Sequence, residues 1–274
     1  FKQKTAYEIR LSLVGSEMCI RDRSNPNPMI GFNRKVDLIW LDTVASWAAA
    51  DLSEAEIAQR FSDLLATIDQ GKETRRKIKD ILSGIWLQRT GDLPGFHETG
   101  LNLYRSLPTS ERLALHWGRS MVVYPFFAYI ATQVGRLYRL QGDVTAGEVQ
   151  RRIVEHYGES DWVKRSVRYV IQSMHDWQVL HAKSFGVYII CPPRQITNPT
   201  LIAWLAEAYL RANQADSVAP STILTSPVFF PFTLADISAQ QLSRYNSRLE
   251  AVQQGLNQDV IVLQVSTPRR NGVS

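Results

Sequence analysis

The chain has 274 residues, 45% of them hydrophobic, and a formal net charge of +5. That composition excludes a disordered polymer and leaves room for one large or two smaller domains with a sizeable core. The charge permits a nucleic-acid partner without demanding one, so the clustering of cations matters more than their total.

Residues 1–23, FKQKTAYEIRLSLVGSEMCIRDR, resemble a translated sequencing-library adaptor. The codons AAG CAG AAG ACG GCA TAC GAG spell Lys2 to Glu8 and match a flow-cell primer. The codons CTC GTG GGC TCG GAG ATG TGT ATA AGA GAC spell Leu13 to Asp22 and match a transposase-type adaptor. Two matches in one frame set residues 1–28 apart as non-native or upstream sequence, with Met29 the expected start and residues 11–20 no signal-peptide core. Residues 1–28 hold five of the Lys/Arg and three of the Asp/Glu, so the rest carries 26 and 23, a formal +3. Cys191 then stands alone, which rules out an internal disulfide or a Cys-rich zinc site and fits a reducing, cytoplasmic setting.

Residues 29–90 read as a three-helix unit. The first helix, residues 35–50, carries Val36, Ile39, Trp40, Val44 and Trp47 at helical spacing. Ser53 opens the second with Glu56 three residues on, a capping-box spacing; Ile57, Phe61, Leu64, Leu65 and Ile68 supply its stripe and Gly71 its end. The third begins near Thr74 with Ile78, Ile81, Leu82, Ile85 and Trp86 inward. Its other side carries Arg75, Arg76, Lys77 and Lys79, with Lys72 and Arg89 flanking. A short basic cluster is more often a solvated helix face than a phosphate-contacting surface. Residues 91–109, rich in Gly, Pro and polar residues, read as a linker that Leu101, Leu103 and Tyr104 dock to the body.

The next unit spans residues 110–192. A helix starts at Ser110, and Pro125 separates it from one ending near Leu140, with Phe126, Phe127, Ile130, Val134 and Leu137 as core. The longest apolar run, residues 121–134, is interrupted by Pro125 and Gln133 and is shorter than the roughly 20 residues a membrane span needs. Thr145 and Glu148 set a second capping-box spacing, Val149, Ile153 and Tyr157 share a face, and Gly158 ends that helix. Ser160 or Asp161 caps the following helix, in which Val163, Val167, Val170, Ile171, Met174 and Trp177 form one apolar stripe. Its opposite face carries Lys164, Arg165, Arg168 and Gln172. Val179–Leu180, then residues 181–184, then residues 185–190 read as strand, turn and strand, with Gly186 near the bend.

Helix, turn, basic helix and β-ribbon in this order resemble a winged helix-turn-helix domain. The resemblance implies a DNA-binding fold whose second helix enters the major groove while the ribbon touches backbone or minor groove. On that reading Lys164, Arg165 and Arg168 neutralise phosphates or reach base edges, Gln172 reads a base, and Arg151, Arg152 and Lys183 flank them on the backbone. Arg75, Arg76, Lys77 and Lys79 would form a second basic surface. The layout is also similar to the small helical A-component proteins of bacterial BREX phage-defence systems, at the level of arrangement and not of residues.

Residues 193–274 read as a helical extension with a terminal strand. Prolines 192 and 193 stop the ribbon. A helix follows from Asn198 or Thr200 with Leu201, Trp204, Leu205, Ala208 and Tyr209 buried. Residues 228–232 (VFFPF) are too hydrophobic to float free and pack on the body or on a partner. Thr233 is expected to cap a long helix to about residue 254, and residues 259–265 to form a strand pairing with the edge of the wing. Residues 268–274 read as a frayed tail.

Phosphate-loop, dinucleotide and nucleophile-elbow motifs are absent from the sequence, and His97, His116, His156, His175 and His181 lack metal-ligand spacing. Cys191 before two prolines reads as a structural thiol. The sequence thus leads to a mainly α fold with a small β-ribbon and a non-enzymatic, cofactor-free partner of double-stranded DNA. It would act as a transcription regulator or a phage-defence subunit, as a homodimer or in a larger complex, away from membranes. The competing expectation is an assembly protein whose winged domain and VFFPF segment bind protein.

Overall fold

A computed structural model describes residues 32–88, 94–254 and 258–264. The adaptor-like segment with Met29 and Cys19, Arg89, the start of the expected linker and the terminal tail lie outside them. Among these residues eleven α-helices and eight short strands make a mainly α fold with small sheets.

The N-terminal stripes become helices. α1 (Leu38–Ala49) buries Leu41, Val44, Ala45 and Trp47, whereas Ile39 faces outward at 71% exposure. α2 (Glu54–Ala66) has the full capping box at Ser53 and Glu56 but buries only Phe61 completely. It stops before Gly71, which instead precedes α3 (Lys72–Trp86). The expected linker contains α4 (Pro94–Ser106), a correction with a tertiary cause. Phe96 stacks on Trp204 at 4.5 Å and 3°, and Trp204 Nε1 donates to the Phe96 carbonyl at 3.0 Å. Burial of Phe96, Leu101, Leu103 and Tyr104 outweighs the weak helix propensity that Gly95 and Gly100 give this segment.

α5 (Thr109–Val123) and α6 (Pro125–Gln141) follow, divided at Tyr124 with Pro125 in the first turn of α6. Then come β1 (Val144–Thr145), α7 (Ala146–Tyr157), α8 (Asp161–Asp176), β2 (Leu180–Ser184) and β3 (Val187–Ile190). The three strands form an antiparallel sheet in the order β1-β3-β2. Residues 181–184, expected as the turn, are strand, and the bend lies at Phe185–Gly186, where Gly186 has φ 73°. The ribbon ends at Ile190, before the prolines.

β4 (Arg194–Ile196) pairs in parallel with β6 (Phe232–Leu234). Between them lie α9 (Pro199–Asn213), β5 (Ser217–Val218), α10 (Pro220–Leu224) and a 3-10 turn at Pro227–Phe229. The expected long helix after Thr233 is corrected. Thr233 lies in β6, the helix is the short α11 (Ala239–Tyr245), and Leu249–Gln254 is a strand, β7. β7 pairs with β8 (Gln258–Leu263) along its whole length, and β5 covers the other edge of β8. The terminal strand is therefore satisfied within its own sheet and not by the wing.

Val228, Phe229, Phe230 and Phe232 are buried, in one contiguous cluster with side chains running from Phe32 to Ile261. Trp117 Nε1 donates to the Val228 carbonyl at 3.0 Å, and Phe230 and Phe232 meet the Trp117 ring edge-on. α6 lies directly on the 3-10 turn because Gly135 has no side chain: a Cβ there would sit 2.1 Å from the Pro227 carbonyl oxygen. Gly135→Ala is expected to destabilise the fold by about 3 kcal/mol, since the obstacle is backbone. A denaturant titration with an unchanged midpoint would contradict this close approach.

Glu207 is completely buried in α9 and ties the C-terminal part together. It accepts from Arg248 Nη2 at 2.8 Å, Asn246 Nδ2 at 2.8 Å and Arg211 Nε at 2.8 Å. Burial alone would raise its pKa, but Arg248, Asn246 and Arg211 overcome that and hold it below its ordinary 4.5. A depressed folded-state pKa contributes stability above the unfolded value, lost as pH falls through the folded one. Glu207→Gln should therefore be less stable than the parent at neutral pH, with the gap narrowing below about pH 4.5. Unfolding free energies measured across that range check the sign; a gap that widens on acidification would contradict it.

Candidate nucleic-acid interface

The α7–α8 pair is set by local chemistry. Thr145 ends β1 and caps α7, accepting from the Glu148 N–H at 3.2 Å, while its hydroxyl donates to Glu148 Oε2 at 2.7 Å. Ser160 caps α8 by accepting from the Val163 N–H at 3.1 Å. Between them Gly158 ends α7 at φ 83° and ψ 158°, an extended positive-φ conformation and not the left-handed helical one.

Val163, Val167, Val170, Ile171 and Met174 are buried, so the arc opposite them is turned outward. Arg165, Arg168, Gln172 and His175 are exposed on that arc at three- and four-residue spacing. Arg165 Nε donates to the Asp161 carbonyl at 3.2 Å, and Arg168 lies with its guanidinium carbon 5.6 Å from the Tyr169 ring centroid. Neither forms an ion pair among the described residues, and Gln172 makes no side-chain hydrogen bond there.

The other expected contacts are placed differently. Lys164 sits at the edge of the arc with Nζ 2.6 Å from Glu159 Oε1, and that pairing raises its pKa above the usual value. Arg151 pairs with Glu155 at 2.7 Å and Lys183 with Asp143 at 3.3 Å. Arg152 is half-buried and donates to Gln133 Oε1 at 3.4 Å, which turns it partly toward α6. The Lys164, Arg151 and Lys183 pairs are exposed, so solvent screens them and they hold these side chains only weakly.

Two of the four cations of the second basic surface are paired with acids on their own helix. Arg76 bridges Glu73 and Asp80, at 2.9 Å and 3.1 Å, and Lys77 reaches Glu73 at 3.3 Å. Its two partners hold the Glu73 carboxyl down at about 2. Lys79 is spent over the Phe61 ring at 5.3 Å, and Arg75 is half-buried. The geometry matches a solvated helix face.

One cation was not visible from sequence spacing. Arg34 lies 5.5 Å from the centroid of Tyr169, the same ring that Arg168 approaches. The segment before α1 brings it there. Trp177 Nε1 donates to the Val36 carbonyl at 2.9 Å, the Val36 N–H to Ser173 Oγ at 2.9 Å, and the Leu38 N–H to Asp176 Oδ2 at 3.2 Å. Only the basic character of Arg34 could have hinted at this role.

One other polar centre is a packing feature. His116 is nearly fully buried; its Nδ1 accepts from Trp86 Nε1 at 3.0 Å and its Nε2 lies 3.4 Å from Asp42 Oδ1. Burial lowers its pKa, and the His116 contact lowers that of Asp42. A cleft of about 350 Å³ lies along α1–α4, lined by Trp47, Phe61, Lys79, Trp86 and His97, and it does not include His116 or Asp42. Among the described residues no cluster of His, Cys, Asp and Glu could hold a metal, and no helix is long and apolar enough to cross a membrane. Cys191 is half-buried and free.

No protein-family model, curated protein or solved structure matches the chain.

Single Arg165→Ala, Arg168→Ala and Gln172→Ala changes should each alter unfolding free energy by less than about 0.5 kcal/mol, because these side chains support nothing in the fold. Ile171→Ala, on the buried side of the same helix, should cost about 2–5 kcal/mol. Urea titrations separate the two groups. A large loss of stability at Arg165 or Arg168 would make that arginine structural.

Proposed function

We propose that the chain is a non-enzymatic DNA-binding protein that lays the exposed arc of α8 against duplex DNA and its β2–β3 ribbon alongside. The observation that carries this reading is the outward arc of Arg165, Arg168, Gln172 and His175, on a helix whose opposite side is fully engaged in the core. The order helix, short strand, helix, helix and two strands, with β1 closing onto β3, agrees with the winged helix-turn-helix resemblance. Two arginines without carboxylate partners can meet phosphates or guanine edges at no cost in broken ion pairs. Gln172 beside them carries both a donor and an acceptor, the combination that pairs with adenine. Arg34 extends the positive surface past Tyr169. A bacterial regulator and a phage-defence subunit are both compatible with this mode of binding.

The reading in which the VFFPF segment anchors a protein partner loses its main support, because those side chains are consumed by packing on Trp117 and α6. It now rests on other exposed apolar residues, Ile39, Leu140, Trp162 and, on the ribbon, Phe185 and Ile189.

Fluorescence anisotropy of a labelled duplex over a salt series tests the proposal. Affinity should fall linearly on a log–log scale. Substituting Lys164, Arg165 and Arg168 by Ala should weaken binding and make the slope shallower by about 2, at roughly 0.9 for each of the two phosphates met by Arg165 and Arg168, since Lys164 is already paired with Glu159. Substituting Arg75, Arg76, Lys77 and Lys79 together should leave the slope nearly unchanged. Absence of binding at low salt, or equal slopes for parent and triple variant, would contradict the interface.

A further inference from the structure

The C-terminal sheet ends on a strand whose outer backbone is unpaired. β7 (Leu249–Gln254) lies at the margin of the β5-β8-β7 sheet, paired on one side with β8. The register fixes which of its groups face outward. The Gln264 N–H donates to the Arg248 carbonyl at 2.8 Å, so Arg248 and Gln264 belong to a hydrogen-bonded pair. Antiparallel pairing alternates, so Glu250, Val252 and Gln254 also bond to β8, while Leu249, Ala251 and Gln253 turn their N–H and C=O groups away from it. The Leu249 N–H is taken up by the Asn246 carbonyl at 2.9 Å. The outward N–H and C=O groups of Ala251 and Gln253 have no partner among the described residues.

Folded proteins usually blunt such an edge with a lysine, a proline or a bulge. The edge strand β2 of this same chain is blunted in two of these ways: its register shifts between Ala182 and Ser184, and the residue at the shift is Lys183. β7 has none of them. Its sequence, LEAVQQ, lacks Lys, Pro and Gly, and its pairing with β8 runs without a register shift. One face is anchored, since Leu249 is buried and α11 reaches across to β8, where Gln240 Nε2 donates to Asp259 Oδ2 at 2.8 Å. The other face leaves Val252 39% exposed between Glu250 and Gln254.

The occupant that this edge fits is its own copy. A two-fold antiparallel pair must set outward-facing residues opposite one another, which leaves few registers. Pairing about Glu250 would place two carboxylates face to face, a destabilising arrangement. Pairing about Val252 has no such conflict. Ala251 then exchanges ladder bonds with Gln253 of the partner subunit, and Gln253 does the same with the partner's Ala251. Val252 is covered by the partner's Val252 in a close, non-hydrogen-bonded pair, and Glu250 meets the amide of the partner's Gln254.

We propose that the chain associates with a second copy of itself through β7, edge to edge and antiparallel about Val252, so that two three-stranded sheets become one continuous sheet. This uses no residue of the α8 arc or the ribbon and does not depend on the DNA-binding reading. A strand pair covers less than the roughly 1,200 Å² of a standard stable interface, so the dimer is a reversible one, with Kd about 10–100 µM.

Sedimentation velocity of the full chain over a concentration series spanning that range, together with cysteine cross-linking, tests the proposal. The parent should pass from monomer to dimer as concentration rises. Gln253→Pro removes an N–H that β8 does not use, so the fold should persist while Kd rises about tenfold or more. Val252→Lys, which sets like charges across the two-fold, should also abolish the dimer over the same range. For cross-linking, Cys19 and Cys191 are changed to Ser and single cysteines are placed along β7. Val252→Cys should form an intermolecular disulfide at least about fivefold faster than Glu250→Cys or Gln254→Cys, because only at the two-fold do identical residues come within bonding range. A parent that stays monomeric at every concentration would overturn the proposal. So would a dimer that both Gln253→Pro and Val252→Lys leave undiminished, or equal cross-linking at the three positions.

Discussion

The orientation of α8 depends on one buried indole. Trp177, at the C-terminal end of that helix, is wholly buried; its ring lies 5.6 Å from Phe127, 6.1 Å from Trp117 and 6.2 Å from Phe32. Its N–H is satisfied by the Val36 carbonyl, as a buried indole requires. Aromatic pairs of this kind are worth about 0.5–1.5 kcal/mol each beyond the area they bury. Together with Ser173 and Asp176, which accept from the N–H groups of Val36 and Leu38, they fix which side of α8 faces the core. The outward placement of Arg165, Arg168 and Gln172 follows from that choice of side. The same strap sets Arg34 over Tyr169.

Charge is distributed unevenly between the two basic helices, and pairing shows it better than counting. On α3 Arg76 and Lys77 lie within reach of Glu73 and Asp80 and Lys79 lies over an aromatic ring, so three of its cations are engaged on their own unit. On α8 the carboxylates sit at the N-terminal end, at Glu159 and Asp161, and the arc beyond them is free of acids until Asp176, which is turned to Lys35 and Leu38. A phosphate approaching the middle of α8 meets two guanidinium groups without carboxylate partners and an amide. A net charge as small as that of this chain is compatible with such local binding, because screening confines each charge to about 8–10 Å.

Local features were legible in the sequence and long-range ones were not. The caps at Ser53, Ser160 and Asn198 could be read because a cap involves residues two or three apart. The two faces of α8 could be read because helical period separates them. The ribbon was misplaced by a few residues because β2 is an edge strand with only Leu180 buried, so no alternation marks it. α4 was hidden by its glycines; only the Phe96–Trp204 stack, over a hundred residues apart, makes a helix worthwhile there. Residues 249–254 have side chains that suit a helix and become a strand because β8 lies beside them. Of the candidate site, α8 was visible. The engagement of Lys164, Arg151 and Lys183 by acids, and the arrival of Arg34, depend on distances that spacing does not contain.

On the proposed reading α8 and the β2–β3 ribbon form one contact surface for DNA. Backbone amide NMR of the full chain titrated with duplex DNA at low salt tests it most directly. Shift changes should concentrate at residues 165–175, along the β2–β3 ribbon and around Arg34, with α3 and the β7–β8 sheet unaffected. Changes centred on residues 72–79, or spread evenly over the surface, would contradict it.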